Sequence, residues 1–248
     1  MNAGRLNAGV MMRRWPALSD ALLDALAVLS PVSCVGCGRE NRALCARCRV
    51  ALTPRVASQR IGPAGGALTV HSALVYGTVP RACILALKEA GRTDLTGALA
   101  APLRAAVESA RAAVSGVDQL ELIAIPSSRS AWRRRGYDPV RLLCRRAGYR
   151  PLRLLRHRRT TRRQKTLGEA DRAGNLLNSL GATGPLHGRS FLIVDDVVTT
   201  GATLLEASRA VREAGGDVLG AVTLARTPRI FRYSERKTEA PSGSGNSQ

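Results

Sequence analysis

The sequence predicts an α/β fold: a mainly parallel sheet flanked by helices, with a small cysteine-rich module in front of it. Three observations carry this. Apolar strand-like runs alternate with amphipathic helical patterns from residue 69 onward, as in strand–helix–strand units built on parallel strands. The run from Ser190 to Thr203, SFLIVDDVVTTGAT, ends an apolar strand in two acids and a hydroxyl-rich turn that opens a helix. Two CxxC pairs, Cys34/Cys37 and Cys45/Cys48, stand seven residues apart near the N-terminus.

Along the chain, residues 1–16 read as a loose tail, in which Met11 or Met12 is an alternative start. Arg13 and Arg14 ahead of a leucine-rich stretch look like a secretory leader. Asp20 and Asp24 interrupt that stretch, and no small-residue cleavage site follows. Leu18, Leu22, Leu26 and Leu29 fall near one helical face, so residues 17–58 read as a helix plus the cysteine module. Gly62, Pro63, Gly65 and Gly66 make residues 59–68 a linker.

The main domain then runs over residues 69–232. Its expected strands are Thr69–Tyr76, Leu120–Ile125, Pro151–Arg156, Phe191–Val194 and Asp217–Leu224. Its expected helices are Val79–Ala90, Leu95–Val114, Tyr137–Ala147 and Thr203–Ala214, the last stopped by Gly215 and Gly216. Residues 157–172 are basic, lack apolar periodicity and read as a mobile loop. Residues 233–248, rich in Ser and Gly, read as a disordered tail.

The 248 residues leave room for one ordinary domain and an appendage. With 45% hydrophobic residues but only 3% aromatics, the core must be built from Val, Leu, Ile and Ala. No apolar run approaches the ~20 residues of a membrane span. The net charge is +20, almost all of it arginine, since the lysines are Lys88, Lys165 and Lys237. Such a balance suits polyanions, although arginine in place of lysine also follows from genomic base composition. The segment Arg129–Arg172 holds 16 basic residues against three acids. It is either a solvated charged face or a weak, sequence-independent contact for nucleic acid. With Trp132, Tyr137 and Tyr149 its only aromatics, the phosphate term would dominate such a contact.

Paired CxxC spacing lets Cys34, Cys37, Cys45 and Cys48 clamp one metal ion through four thiolates, and structural Zn²⁺ is the best match. Gly36 and Gly38 allow the tight bend. Arg39, Arg42, Arg47 and Arg49 offset the charge of the centre. The alternatives are two disulfides, which a cytosolic chain rarely keeps, and redox chemistry. Cys83 and Cys144 fall in apolar helical patterns and read as inert packing. His71, His157 and His187 are scattered, with no nucleophile beside them.

Two adjacent carboxylates can accept hydrogen bonds from vicinal hydroxyls. Small hydroxyl residues and a glycine at a helix N-terminus can cradle a phosphate. Asp195 and Asp196 with the turn Thr199, Thr200, Gly201, Ala202 and Thr203 therefore have the parts to hold a ribose 5-phosphate. The bland alternative is a βα turn whose acids cap a helix. A Walker B reading fails, because Gly184–Ser190 has the wrong spacing, Arg for Lys, and leads into a strand.

This pattern resembles the signature of type I phosphoribosyltransferases, whose ligand is Mg²⁺-bound 5-phosphoribosyl-1-pyrophosphate (PRPP). The resemblance implies that Asp195 and Asp196 face the ribose hydroxyls and that the Thr199–Thr203 turn faces the 5-phosphate. A cysteine pair motif ahead of such a signature resembles the ComF family of bacterial proteins, named for a DNA-uptake competence protein. Further segments agree over about residues 18–228. Leu87–Arg92 resembles that family's Lys-aromatic-x-Gly segment, without the aromatic. Ile125–Arg129 resembles its strand-end loop. Arg135-Gly136-Tyr137-Asp138 resembles its Arg-Gly-Phe-Asn box. Gln164, Leu167, Arg172 and Asn175 resemble its Gln…Leu…Arg…Asn run.

The resemblance implies that Lys88, Ser127, Ser128, Arg129, Arg135, Gln164 and Arg172 serve the pyrophosphate, with a basic loop closing over it. It implies a cytoplasmic protein that transfers a phosphoribosyl group with release of pyrophosphate. The alternative is a non-catalytic PRPP or nucleotide sensor, or a DNA-uptake or DNA-processing accessory. The gap is the acceptor. Where base-specific enzymes carry an acid in the signature loop, this chain has Val197 and Val198.

Overall fold

The computed structural model describes residues 32–117, 119–158 and 178–228. In chain order the elements are α1 (Ala46–Val50), β1 (Ala57–Ile61), β2 (Leu68–Val75), α2 (Thr78–Glu89), α3 (Thr96–Ala112), β3 (Leu120–Ala124), α4 (Arg129–Arg135), α5 (Pro139–Arg146), β4 (Leu155–His157), β5 (Leu180–Ala182), β6 (Ser190–Val198), α6 (Ala202–Glu213) and β7 (Asp217–Arg226). Five strands form the main sheet in the order β1-β2-β7-β6-β3. β2, β7, β6 and β3 are mutually parallel, and β1 adds an antiparallel edge against β2.

The parallel strands are apolar because helices cover both faces. Phe191, Leu192, Ile193 and Val194 of β6 are all fully buried. Their side chains alternate between two cores. Leu192 and Val194 pack with Leu87 of α2, Leu99 and Leu103 of α3, and Leu143 of α5. Phe191 and Ile193 pack with Leu204, Ala207 and Val211 of α6. Cys34, Cys45, Cys48 and Leu52 belong to the first of these cores, so the cysteine segment is seated on the domain.

The structure differs from the sequence reading at five places. Residues 57–61 form β1, and the Gly/Pro stretch that follows, read as linker, is the tight connection into β2. The expected strand Pro151–Arg156 is shorter and later. Leu152 makes only a bridge to Ile123, and Leu155–His157 pairs with the unanticipated β5 in a separate two-stranded sheet. β6 continues through both acids to Val198, because parallel pairing with β7 extends to Arg226. Arg129–Arg135 forms a helix that was not anticipated, α4, directly ahead of α5, which lies within the expected helix Tyr137–Ala147. Ser128 caps α4 by accepting from Ala131 N at 3.2 Å, and left-handed Gly136 ends it. Asp138 caps α5, ahead of Pro139 at its first position. The expected N-terminal helix, the C-terminal tail, Gln164 and Arg172 lie outside the described residues.

Candidate functional site

Parallel strands present their carboxyl ends on one side of the sheet, where α/β proteins bind ligands. A cleft of ≈ 460 Å³ lies there, in the ordinary range for small-molecule sites. β6 supplies Asp195, Asp196 and Val197. The β3–α4 connection supplies Pro126, Ser127 and Ser128. Arg135 of α4 and Lys88 of α2 complete the polar lining, with Tyr76 beyond the end of β2. Thr199 and Thr203 line the cleft from the β6–α6 turn.

The turn itself depends on glycine. Gly201 sits at φ +83°, and a Cβ there would lie 2.5 Å from Ile61 Cδ1 on β1. Gly201 at the N-cap brings no side chain to α6, so the first-turn amides past Ala202 have no intrahelical partner. Thr200 is exposed, and its hydroxyl accepts from Ala202 N at 3.3 Å.

The two acids are unequal. Asp196 is 9% exposed, and both of its carboxylate oxygens are 2.8 Å from Lys88 Nζ. Asp195 Oδ1 accepts from the Asp196 amide at 2.8 Å, and no cation is paired with it among the described residues. Burial, then the charge of Asp196, pushes the Asp195 carboxyl up to about 7, with Lys88 pulling weakly the other way. Arg135 also lines the cleft, and its Nε is buried with no hydrogen-bond partner. Tyr137, next to Arg135, donates its hydroxyl to the Leu87 carbonyl and so ties the α4–α5 turn to α2 beside Lys88.

Of the residues singled out in the sequence, Lys88, Ser127, Ser128, Arg135, Asp195, Asp196, Thr199 and Thr203 come together here. Gly201 and Ala202 shape the turn behind them. Arg129 does not join them: it is exposed at the start of α4, away from the cleft wall. Tyr76, Ala131, Pro139 and Val140 also line the cleft. They carry no motif, and only the tertiary fold brings them there.

The sulfurs of Cys34, Cys37, Cys45 and Cys48 lie within 4.8 Å of one another, a group able to hold a metal ion. All four cysteines are free thiols, and Cys37 Sγ stands 3.6 Å from Cys45 Sγ. Burial opposes ionisation of Cys34, but the amides of Cys45, Gly36 and Cys37 outweigh it and hold its thiol at about 6. Cys48 is pushed the other way by burial and by the neighbouring sulfurs. A Cβ on Gly36 would fall 2.7 Å from Cys48 Sγ, so the bend around the sulfurs requires glycine.

Residues 135–238 match the phosphoribosyl transferase domain family. The chain carries a phosphoribosyltransferase domain, in a mainly parallel sheet, behind a four-cysteine cluster. That combination is the one by which its sequence resembles the ComF family. The chain is 30% identical over 146 residues to the DNA utilization protein YhgH of Shigella flexneri and 29% identical over the same length to that of Escherichia coli K12. These matches cover 57% of the chain and 64% of each relative's length. A shorter stretch of 41 residues is 51% identical to the orotate phosphoribosyltransferase of Methanopyrus kandleri, covering 16% of the chain and 22% of that enzyme. No helix among the described residues is long and apolar enough to cross a membrane.

Proposed function

We propose that the cleft binds Mg²⁺–PRPP, and that the protein transfers the phosphoribosyl group to a base or amine with release of pyrophosphate. The supporting observation is convergence. Acids for ribose hydroxyls, a helix N-terminus for the 5-phosphate, and cations for pyrophosphate arrive at one cleft from four separate elements. Asp195 and Asp196 accept from the two hydroxyls. Thr199, Thr203 and the first amides of α6 hold the 5-phosphate. Lys88, Arg135 and the hydroxyls of Ser127 and Ser128 neutralise the pyrophosphate.

Transfer breaks the C1–O bond, whose electron pair leaves with pyrophosphate, and forms a bond from C1 to the acceptor nitrogen. Positive charge on the ring then lies beside the acids, and negative charge grows beside Lys88 and Arg135. The residues present suit a divalent ion. Asp196 already holds a cation through both oxygens in the form of Lys88, and Asp195 offers a second carboxylate. Mg²⁺ there supplies Lewis-acid stabilisation of the leaving group.

A non-catalytic PRPP sensor is the second reading, and one observation favours it. Among the described residues lining the cleft, no histidine or third acid stands ready to take the acceptor's proton. The names of the YhgH relatives suggest that either activity serves DNA utilization. The four cysteines are proposed to hold one structural Zn²⁺ in a reducing, cytoplasmic setting. Incubation with Mg²⁺, PRPP and a panel of bases and amines tests the enzymatic reading. Acceptor-dependent pyrophosphate release supports transfer. PRPP binding without release supports the sensor. No binding removes both.

A further inference from the structure

The two-stranded sheet β4–β5 stands apart from the main sheet, and the proposed transfer gives it no role. So short a ribbon is marginal by itself, and it is tied down on both sides. On the β5 side, α6 holds Leu180 by both of its backbone groups. Glu206 Oε1 accepts from Leu180 N at 2.9 Å, and Arg209 Nη2 donates to Leu180 O at 2.9 Å. Glu206 is only 3% exposed. Arg209 satisfies it, with Nε donating to Oε2 at 2.8 Å and Nη2 to Oε1 at 2.9 Å. A carboxylate is costly to bury unless it is matched in this way, so Glu206 has one arrangement and Leu180 is fixed with it.

On the β4 side, His157 stands directly across from Leu180 in the register and reaches the other way. Its Nε2 lies 2.9 Å from the Pro126 carbonyl oxygen. A carbonyl only accepts, so Nε2 carries the proton and donates. Pro126 begins the loop whose Ser127 and Ser128 wall the cleft. Asp138 holds the same loop from the cap of α5, its Oδ2 accepting from Ser127 N at 3.4 Å. His157 itself does not line the cleft. A path of hydrogen bonds therefore leads from α6, whose first turn lines the cleft through Thr203, by way of Glu206, Leu180 and His157 to the Pro126–Ser128 wall.

We infer that His157 is a positioning residue: it makes the β4–β5 ribbon a brace that sets the Pro126–Ser128 loop relative to α6, and so favours a ligand with a phosphate at one end and a pyrophosphate at the other. The identity of that ligand rests on the PRPP reading above. A ligand that touches both walls depends on how they are held relative to each other, and one that touches only the acids and the α6 turn does not.

The test is calorimetric titration of the full chain, in Mg²⁺, with PRPP, pyrophosphate and ribose 5-phosphate, together with hydrogen exchange of the ligand-free loop. His157→Ala changes an exposed side chain, so the melting temperature should stay near that of the wild type. It should weaken PRPP and pyrophosphate about threefold to tenfold, the size of one net hydrogen bond, and leave ribose 5-phosphate unchanged. His157→Gln, whose side-chain amide can donate to the same carbonyl, should restore most of the loss. Exchange at the Ser127 and Ser128 amides should quicken in His157→Ala and recover in His157→Gln, with no ligand present. Unchanged PRPP affinity in His157→Ala, an equal loss for ribose 5-phosphate, or no rescue by Gln overturns the inference while PRPP binding stands. Absence of wild-type PRPP binding overturns the selectivity together with the PRPP reading, and unaltered loop exchange in His157→Ala overturns the brace itself.

Discussion

The cysteine cluster and the double-acid cleft are both charged centres on one scaffold, and they are built in opposite ways. The four sulfurs come from 15 consecutive residues, Cys34 to Cys48, and close on one another within 4.8 Å. Every ligand position is filled by the chain itself, which suits holding a metal and leaves no place for a substrate. The cleft draws on α2, the β3–α4 connection, α4, β6 and α6, and it leaves groups unmatched: an Asp195 carboxyl with no cation among the described residues, a buried nitrogen on Arg135, first-turn amides of α6 past Ala202 without an intrahelical partner. α2 joins the two. Its Cys83 packs in the same core as Cys34, Cys45 and Cys48, and Lys88 near its end reaches Asp196. One centre is closed and fixes a helix. The other is open and uses that helix.

Breaking the closed centre should have the largest effect. Cys48→Ser should abolish zinc binding, forfeiting an apparent contribution on the order of 10 kcal/mol. Because the cluster shares a core with α2, the cleft should fail with it. Elemental analysis of the wild type should find about one zinc per chain, with loss of metal and a lower melting temperature in the variant. A folded, metal-free wild type would remove this half of the comparison.

Gly201→Ala should come next. It forces a side chain into left-handed backbone and against Ile61, costing about 1–3 kcal/mol. Urea unfolding should show the loss, and PRPP affinity should fall because the phosphate turn moves.

A pH series separates the two acids. The folded Asp195 pKa is raised, so this group's contribution to stability is greatest below its unfolded value near 4 and is lost as pH rises through about 7. Ligand binding runs the other way, since hydroxyls and cations need the ionised carboxylate. Between pH 6 and pH 8, PRPP affinity should rise about tenfold, and Asp195→Asn should flatten the profile. The smallest effect belongs to Glu121→Gln. Glu121 pairs with Arg189 at 2.7 Å at the N-terminal ends of the parallel strands β3 and β6, the end of the sheet away from the cleft, and both are partly exposed. Its loss should cost under about 1 kcal/mol and leave PRPP affinity unchanged.

The same contrast explains what the sequence made legible. The cysteine pairs and the Asp195–Thr203 run are contiguous, so spacing alone exposed them. Lys88 and Arg135 surfaced only through family resemblance, because nothing local to either marks a cleft wall. Tyr76, Pro139 and Val140 were invisible, being brought in by strand ends and helix packing. Helix α4 buries none of its residues, so hydrophobic periodicity could not find it. Its Ser128 and Gly136 caps were the readable signal. β1 was hidden because an edge strand alternates exposure over only five residues beside a Gly/Pro stretch. β5 has three residues, too few for any period to register.

The central claim is that the open centre holds Mg²⁺–PRPP through its acids. The direct measurement is calorimetric titration with PRPP and Mg²⁺ on the wild type and on Asp195→Asn with Asp196→Asn. Charged hydrogen bonds contribute roughly 1.5–3 kcal/mol each, so the double variant should lose at least about tenfold in affinity at nearly unchanged melting temperature. No wild-type binding at millimolar PRPP, or equal binding by the double variant, would contradict the account.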